Sequence, residues 1–306
     1  MFLGSAVFLG YASRHGRALL DRALYLPQGW TKDEARRRAA RIPDEVAFAT
    51  KPKLGLAMLE RARVAGVPFS GVTGDSVYGG DYAIRSWARQ HRRGYVLGVT
   101  SGQHLGLRPV TVWIEELDQQ AWARLSAGEG AKGERMYDWA CLPHAGAAEG
   151  FCCALLVRRS IGDPEAALTF YLTHAPEGTS LTELVRVAGS RWSIESLFEQ
   201  AKGEVGLDQY EVRSWVGWHR HVTLAMVALA YLAGVRRGAA GGWGAGEPGR
   251  RPAAAHRARG AAPALGARGR YAAQTRRRAG LVALAPTPPA TRTSLTLAPA
   301  NTGPSA

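Results

Sequence analysis

"VPFSGVTGDSVYGGD" spans residues 67–81 and sets the class of fold. An apolar run ends at Gly74, Asp75 follows it, and a glycine-containing turn comes next. This order predicts a strand that ends at a carboxylate. Open α/β sheets bind their ligands at the carboxyl ends of strands, where an acidic side chain can face outward without disturbing the core. Asp75 is therefore a candidate functional residue, and an aspartate that simply caps a helix or turn is the ordinary alternative.

The first hundred residues alternate between strand patterns and helix patterns. Two apolar runs, residues 2–12 and 17–27, are separated by the turn-like "SRHG" and predict a β-hairpin. Helical patterns follow in "TKDEARRRAA", "PKLGLAMLERARVAG" and "YAIRSWARQHRRG", and "YVLGVT" is typical of a strand. This alternation predicts an α/β fold over residues 1–107.

The next segment, residues 108–178, has a different texture. "PVTVWIEEL", "GFCCALLVRRS" and "ALTFYLTHA" favour strands, with glycine-rich breaks between them, so we expect a β-rich insertion. Residues 179–233 return to helical patterns. A capping box of Ser180 and Glu183 opens them, and the helices are expected at about residues 181–202 and 213–234.

The C-terminal segment, residues 234–306, lacks any periodic apolar face. It contains twelve arginines, no lysine and one acid, Glu247, so it contributes +11 of the net charge of +14. We expect this tail to be disordered. Its basic charge suits a nucleic-acid-binding arm, but basicity from arginine alone, together with the abrupt change in composition, also fits translation of GC-rich DNA in a shifted frame.

A charged pattern lies within "SRWSIESLFEQAKGEVGLDQYEVR", residues 190–213. Because a helix turns about 100° per residue, Glu195 lies about 40° and Lys202 about 20° around the axis from Arg191. All three side chains therefore share one helix face. By spacing alone, a solvated stripe held by i,i+4 pairing explains them as well as a functional site does.

These residues also carry a family resemblance. The chain resembles DDE transposases of bacterial insertion sequences, which show a Tyr-x2-Arg-x3-Glu-x6-Lys signature. Arg191, Glu195 and Lys202 reproduce its last three positions, whereas Ala188 stands at the tyrosine position. The flanking "GEVGLDQYEVRSWVGWHRHVTLAMVALAYLA" and the upstream "GRALLDRALYLPQGW" and "DEVAFATKPKLGLAMLERA" resemble the family too. The likeness covers roughly residues 7–233.

The resemblance implies a ribonuclease-H-like mixed sheet and two-metal chemistry on DNA. Asp75 and Glu195 match the family's second and third acids, which would be catalytic and would bind Mg²⁺, with Mn²⁺ as a substitute. Arg191 and Lys202 would contact DNA phosphates. The implied partners are the ends of an insertion sequence, target DNA and further copies of the chain assembled on DNA.

The sequence differs from the family at the position of the first acid. That acid lies on a first strand that precedes the hairpin, and "VFLGYAS" corresponds to the second strand, so the first strand is expected to be missing. Its absence would leave a gap in the sheet beside the strand that ends at Asp75. Asp21 is the nearest substitute, on a strand away from the site. We therefore expect a truncated copy without metal-dependent DNA cleavage; the alternatives are a non-catalytic DNA-binding remnant and a misfolded pseudogene product.

Cysteine usage and hydropathy bear on the compartment. The three cysteines form neither a C-x-x-C metal pair nor a disulfide framework, which fits a reducing cytoplasm. No stretch approaches the roughly 20 apolar residues that a membrane helix needs. The sequence therefore predicts a cytoplasmic protein without a membrane partner.

Overall fold

The computed structural model describes residues 5–13, 15–130, 133–163, 166–211, 213–242 and 294–301. In these residues a mixed nine-stranded sheet has the strand order β2-β1-β11-β3-β4-β10-β9-β8-β7, beside a small two-stranded sheet, β5-β6. The strands are β1 Ser5–Ser13, β2 Gly16–Tyr25, β3 Gly71–Gly74, β4 Gly94–Val99, β5 His104–Leu105, β6 Arg108–Pro109, β7 Ala123–Gly130, β8 Gly133–His144, β9 Phe151–Arg159, β10 Thr169–Pro176 and β11 Ser294–Asn301.

Helices cover both faces of the large sheet. They are α1 Gln28–Thr31, α2 Glu34–Ala40, α3 Lys51–Val64, α4 Ser76–Gly79, α5 Tyr82–Gln90, α6 Val110–Trp113, α7 Leu181–Ser190, α8 Trp192–Val205 and α9 Trp215–Gly242. One core joins α3 and α5 to the sheet through residues such as Met58 and Ile84. On the other face, α8 and α9 pack through Ile194 and Trp218, and α7 packs through Val185. The fold is thus the expected α/β class.

One compact unit comprises residues 1–238 and 292–306, and residues 239–291 form a second unit, in which only the end of α9 is described. No helix in the described ranges combines the length and apolar character that crossing a membrane requires.

The predicted hairpin is confirmed. β1 and β2 pair in antiparallel fashion from Ser5–Tyr25 to Ser13–Gly16, with an irregularity between Leu9 and Gly10. Gly10 has a further role, because a Cβ at this position would collide with Ile194 of α8. Its lack of a side chain lets α8 lie directly on β1.

The central position of the sheet corrects two expectations. Residues 294–301, in the tail expected to be disordered, form β11, which lies antiparallel to β1 and parallel to β3. The gap expected beside β3 is therefore filled by a strand from the other end of the chain. Residues 234–242 also depart from the prediction, because α9 continues through them to Gly242. The tail's remaining residues lie outside the described part of the chain.

Two local predictions are also corrected. "PVTVWIEEL" was expected to form a strand, but Val110–Trp113 is helical and Ile114–Glu116 forms a 3₁₀ turn. Pro109 precedes this helix, at a position where its missing N–H is harmless. The single helix expected over residues 181–202 is divided into α7 and α8, with Arg191 at the junction. Strands β7 to β10, within the β-rich stretch, continue the large sheet.

Leu297 shows how β11 fits the core. Its side chain is 1% exposed, and its Cδ atoms lie 3.1 and 3.3 Å from the point where a Cβ would stand on Gly55 of α3. The Cε1 atom of Tyr78 lies 3.2 Å from the same point. Gly55 therefore leaves a hollow on α3 that Leu297 enters.

We predict that Leu297→Ala lowers the free energy of unfolding by about 2–5 kcal/mol, as expected when a buried leucine is truncated. Gly55→Ala provides a matched test, because its effect on the free energy of unfolding should change sign when Leu297 is truncated. An open helical glycine gains about 0.5–1 kcal/mol on replacement by alanine, but here the new methyl group would crowd Leu297.

Gly55→Ala should therefore destabilise the native chain and become neutral or stabilising when combined with Leu297→Ala. Urea denaturation of the four proteins in this double-mutant cycle measures the coupling. Leu107→Ala, at a side chain that is 98% exposed, serves as the control. If the effects of the two substitutions on the free energy of unfolding were simply additive, the packing of β11 against α3 would be contradicted.

Candidate functional site

Asp75 lies at the carboxyl end of β3, as the sequence predicts. Its Oδ1 accepts a hydrogen bond of 2.9 Å from the Val77 N–H, so it caps the short helix α4. The ordinary alternative, a cap aspartate, is thus part of its role. A Cβ on Gly79 would collide with the carbonyl oxygen of Gly98, so α4 sits directly on β4. This close contact fixes the turn that presents Asp75.

The Asp75 carboxyl group is half-buried, and its burial raises its pKa above the usual range. Hydrogen bonds from the backbone N–H groups of Val77 and Tyr78 and two positive charges lower the pKa in part. The Val77 N–H stabilises the carboxylate, and so do the positive charges of Arg191 and of Lys51, the first residue of α3. The raised pKa means that burial outweighs these contacts.

Arg191 forms an ion pair with Glu195, and its charge also affects Asp75. Its Nη2 atom lies 2.9 Å from Glu195 Oε1, and the same guanidinium lowers the pKa of Asp75. The two side chains of this ion pair are 30% and 36% exposed. An i,i+4 pair on a helix stabilises it by only about 0.3–0.5 kcal/mol. The charged-stripe alternative accounts for this pair but not for the action of Arg191 on Asp75, which belongs to a different element.

The junction between α7 and α8 holds Arg191 in place. A Cβ on Gly189 would collide with the Ala127 carbonyl oxygen, so the end of α7 rests on β7. Arg135 of β8 then donates hydrogen bonds from Nη2 to the carbonyl oxygens of Ala127, at 2.5 Å, and Gly189, at 3.1 Å. These contacts connect the helix junction to the β7–β8 hairpin.

Two further arginines join this region, and the sequence patterns did not reveal them. The charges of Arg135, Arg158 and Arg191 all lower the pKa of Tyr171, although burial raises it overall. Burial lowers the pKa of Arg135, and the charges of Arg158 and Arg191 lower it further, whereas the charge of Glu195 raises it. Arg135 and Arg158 lie on adjacent strands, with Arg158 paired to Trp139, four residues beyond Arg135. No local spacing in the sequence could have indicated this basic cluster of Arg135, Arg158 and Arg191.

Lys202 stands apart from this cluster. It is exposed and lies in the last turn of α8. It is seven residues beyond Glu195, which corresponds to about 10 Å along the helix axis. Lys202 therefore shares the general direction of Glu195 but extends the charged surface rather than joining the Arg191 contacts.

The set of possible metal ligands is incomplete in the described residues. They contain no group of three or more histidine, cysteine, aspartate or glutamate side chains that could hold a metal ion. Asp21, the possible substitute for the first acid, forms a 2.8 Å ion pair with Arg61 of α3. β11, in the position expected for the first strand, has no aspartate or glutamate. These donors do not fit a three-carboxylate site for two metal ions.

Thr296 occupies the central strand on the side of α8. It is 1% exposed and pairs with Gly10, which contacts Ile194, and with Thr73 of β3. Its hydroxyl oxygen is buried without a hydrogen-bond partner. A polar side chain is therefore present on this strand, but it is a neutral hydroxyl.

Comparison with known proteins gives one match. Residues 4–120 match the family model described as "DDE superfamily endonuclease". The matched segment includes Asp75 and ends before the basic cluster and α8. It supports a DDE-type, transposase-like family and, at the family level, a nuclease activity on DNA that uses divalent metal ions. No curated protein matches the chain.

We predict that Asp75→Asn stabilises the protein at neutral pH. Asparagine preserves the side-chain oxygen that caps α4 and removes the charge that burial disfavours. Because the folded-state pKa is raised, the folded state binds the proton more tightly than the unfolded state, and stability falls as pH rises from the unfolded-state value of about 4 through the higher folded-state pKa. The advantage of Asp75→Asn should therefore disappear below about pH 3.

Urea denaturation of both proteins between pH 3 and pH 8 measures this difference. Asp81→Asn is the matched control, because Asp81 caps α5 through the N–H groups of Ala83 and Ile84. A loss of stability for Asp75→Asn at neutral pH as large as that for Asp81→Asn would contradict the prediction.

Proposed function

We propose that this chain is a ribonuclease-H-like DDE transposase domain that binds DNA phosphates at the surface around Arg191. The supporting observation is that Arg191 pairs with Glu195 at 2.9 Å and that its charge lowers the pKa of Asp75, which belongs to a separate part of the chain. The family match over residues 4–120 adds the class of substrate. We assign the catalytic-domain fold to residues 1–107 and 179–233, with residues 108–178 as its β-rich insertion and residues 294–301 of the C-terminal segment in the place of its first strand.

The sheet topology supports the ribonuclease-H-like assignment. The order β2-β1-β11-β3-β4 has an antiparallel hairpin on one side of a central strand and two parallel strands on the other. This is the arrangement that the family resemblance implies, with β11 in the place of the first strand. The carboxyl end of β3, the position of Asp75, is where ligands approach such sheets.

The charge balance supports DNA as the ligand. The cluster of Arg135, Arg158 and Arg191, together with Lys51, outnumbers the two carboxylates of Asp75 and Glu195 around this part of the sheet. Guanidinium groups bind phosphate oxygens strongly. Lys202 extends the basic surface along α8 and would contact a neighbouring phosphate as a point charge.

In the family, Mg²⁺ or Mn²⁺ at three carboxylates would supply the activation of the attacking oxygen and the stabilisation of the leaving one. Because the described carboxylates number two at this site, we propose that this chain binds DNA without cleaving it. Insertion-sequence ends are the proposed DNA, and several copies are proposed to assemble on it.

We predict that Arg191→Ala and Lys202→Ala weaken binding to duplex DNA. Each lost phosphate contact should reduce the slope of log K against log salt concentration by about 1. Arg191→Ala should have the larger effect, since it also exposes phosphate to the uncompensated charges of Asp75 and Glu195.

Fluorescence anisotropy over a range of salt concentrations measures both quantities. Arg36→Ala is the control, because this arginine pairs with Asp33 at the start of α2, away from the proposed surface. If all three variants lost affinity equally, binding would reflect net charge rather than this surface.

We also predict that the purified chain neither nicks nor joins DNA in the presence of Mg²⁺ or Mn²⁺, because a third carboxylate is missing from the site. Gel analysis of end-labelled DNA tests this. Glu195→Gln is the matched control for a contaminating nuclease, whose products would persist in the variant. Cleavage that requires both the metal and Glu195 would overturn the inactivity and retain the family assignment.

A further inference from the structure

The central strand of the sheet is held by pairing to two strands from distant parts of the chain. Residues 294–301 pair with residues 5–12 on one side in eight positions, and residues 294–297 pair with β3 on the other in four. A strand in this position has neighbours on both sides, so withdrawing it would leave backbone N–H and C=O groups of β1 and β3 without partners. The position between β1 and β3, called here the strand slot, therefore has to be occupied.

The strand slot contains a specific recess for an apolar side chain. The Cδ atoms of Leu297 lie 3.1 and 3.3 Å from the point where a Cβ would stand on Gly55, and Leu297 belongs to the same core cluster as Tyr78 and Leu9. The recess accepts leucine because α3 carries a glycine at this point. A strand that enters the slot must therefore present a leucine-sized side chain at the level of Leu9, its partner in β1.

Two residues of β11 reduce the stability of its pairing in the sheet. Thr296 brings a hydroxyl oxygen into the core without a hydrogen-bond partner, which costs free energy relative to its hydration in an opened state. Pro299 pairs with Val7 but has no N–H to donate to the ladder. The sheet thus requires β11, although two residues of β11 do not form every hydrogen bond that a strand in this position can form.

The chain length permits β11 to occupy the slot of another molecule. Fifty-one residues separate Gly242, the end of α9, from Ser294. Such a length can span up to roughly 170 Å when extended, which exceeds the dimensions of a domain of this size. The connection therefore does not restrict β11 to the strand slot of its own chain.

We propose that the strand slot is a site of β-strand exchange between two copies of this chain, in which residues 294–301 of each copy complete the sheet of the other. The strand makes the same contacts whether it binds its own chain or another. The balance therefore depends on the protein concentration compared with the effective concentration of the strand within its own chain. The dimer fraction accordingly rises with protein concentration. This inference is independent of DNA binding.

The experiment uses full-length chains with single introduced cysteines in a Cys152→Ser background, which removes the exposed native thiol. One chain carries Ser5→Cys and the other Asn301→Cys, at positions paired in the β1–β11 register. The two chains are mixed at increasing concentration, oxidised, and separated without reductant. Peptide mapping identifies the bond. A disulfide between different chains requires β11 of one copy to lie beside β1 of the other.

Three comparisons sharpen the test. Ala300→Cys in place of Asn301→Cys is the matched offset control, because one residue of slip turns a strand side chain to the opposite face. The double variant Ser5→Cys, Asn301→Cys reports the intramolecular bond. Thr296→Val, which removes the unpartnered hydroxyl, should slow the formation of the mixed dimer, and Leu297→Ala should accelerate it.

The expected result is a mixed disulfide-linked dimer for positions 5 and 301 that grows with concentration and is lost with the offset cysteine. If the double variant forms its internal bond while the mixed chains give no dimer, β11 remains in its own sheet and the proposal is overturned. If neither bond forms, β11 does not occupy the strand slot, and the proposal is overturned for that reason.

Discussion

The pairing of β11 between β1 and β3 is the constraint on which the rest of the structure depends. β1 carries the surface for α8, since Gly10 lies under Ile194, and β3 carries Asp75 at its end. Without a strand between them, these two elements would have no fixed separation. The relation of Asp75 to the α8 acid is therefore set by a strand that supplies no acid itself. Leu297 packs that strand against α3, on the face of the sheet opposite α8.

A second constraint acts at the junction between α7 and α8. Gly189 permits α7 to touch the backbone of β7, and Arg135 bonds both partners of that contact. Arg191 follows two residues later. The hydrogen bonds of Arg135 thus help to fix the position from which Arg191 forms its ion pair with Glu195. Arg135 donates its hydrogen bonds to carbonyl oxygens, so it positions the helix junction and contributes positive charge to the region.

The features that could be predicted from the sequence are those with local signals. The hairpin, the strand before Asp75 and the capping role of Ser180 follow from patterns a few residues long. β11 could not be predicted in this way, because its partners lie more than 200 residues away and its setting of alanine, glycine, proline and arginine favours disorder. The β-branched residues of "PVTVWIEEL" favour a strand in isolation, but here they follow Pro109 into a helical turn. For the site, spacing could indicate the Arg191–Glu195 pair, whereas the placing of Arg135 and Arg158 on adjacent strands depends on long-range strand pairing.

The balance of charges is the main physical reason for the proposal that this chain binds DNA without binding metal ions. A two-metal site concentrates carboxylates whose mutual repulsion the cations relieve. Here Asp75 already has a raised pKa through burial, and positive side chains moderate that effect. With Arg135, Arg158, Arg191 and Lys51 acting on a region with two carboxylates, the local field favours an incoming anion. A phosphate group relieves the repulsion among the arginines, whereas a divalent cation would increase it. Thr296, a buried polar side chain on the central strand, is a neutral hydroxyl and adds no negative charge to this region.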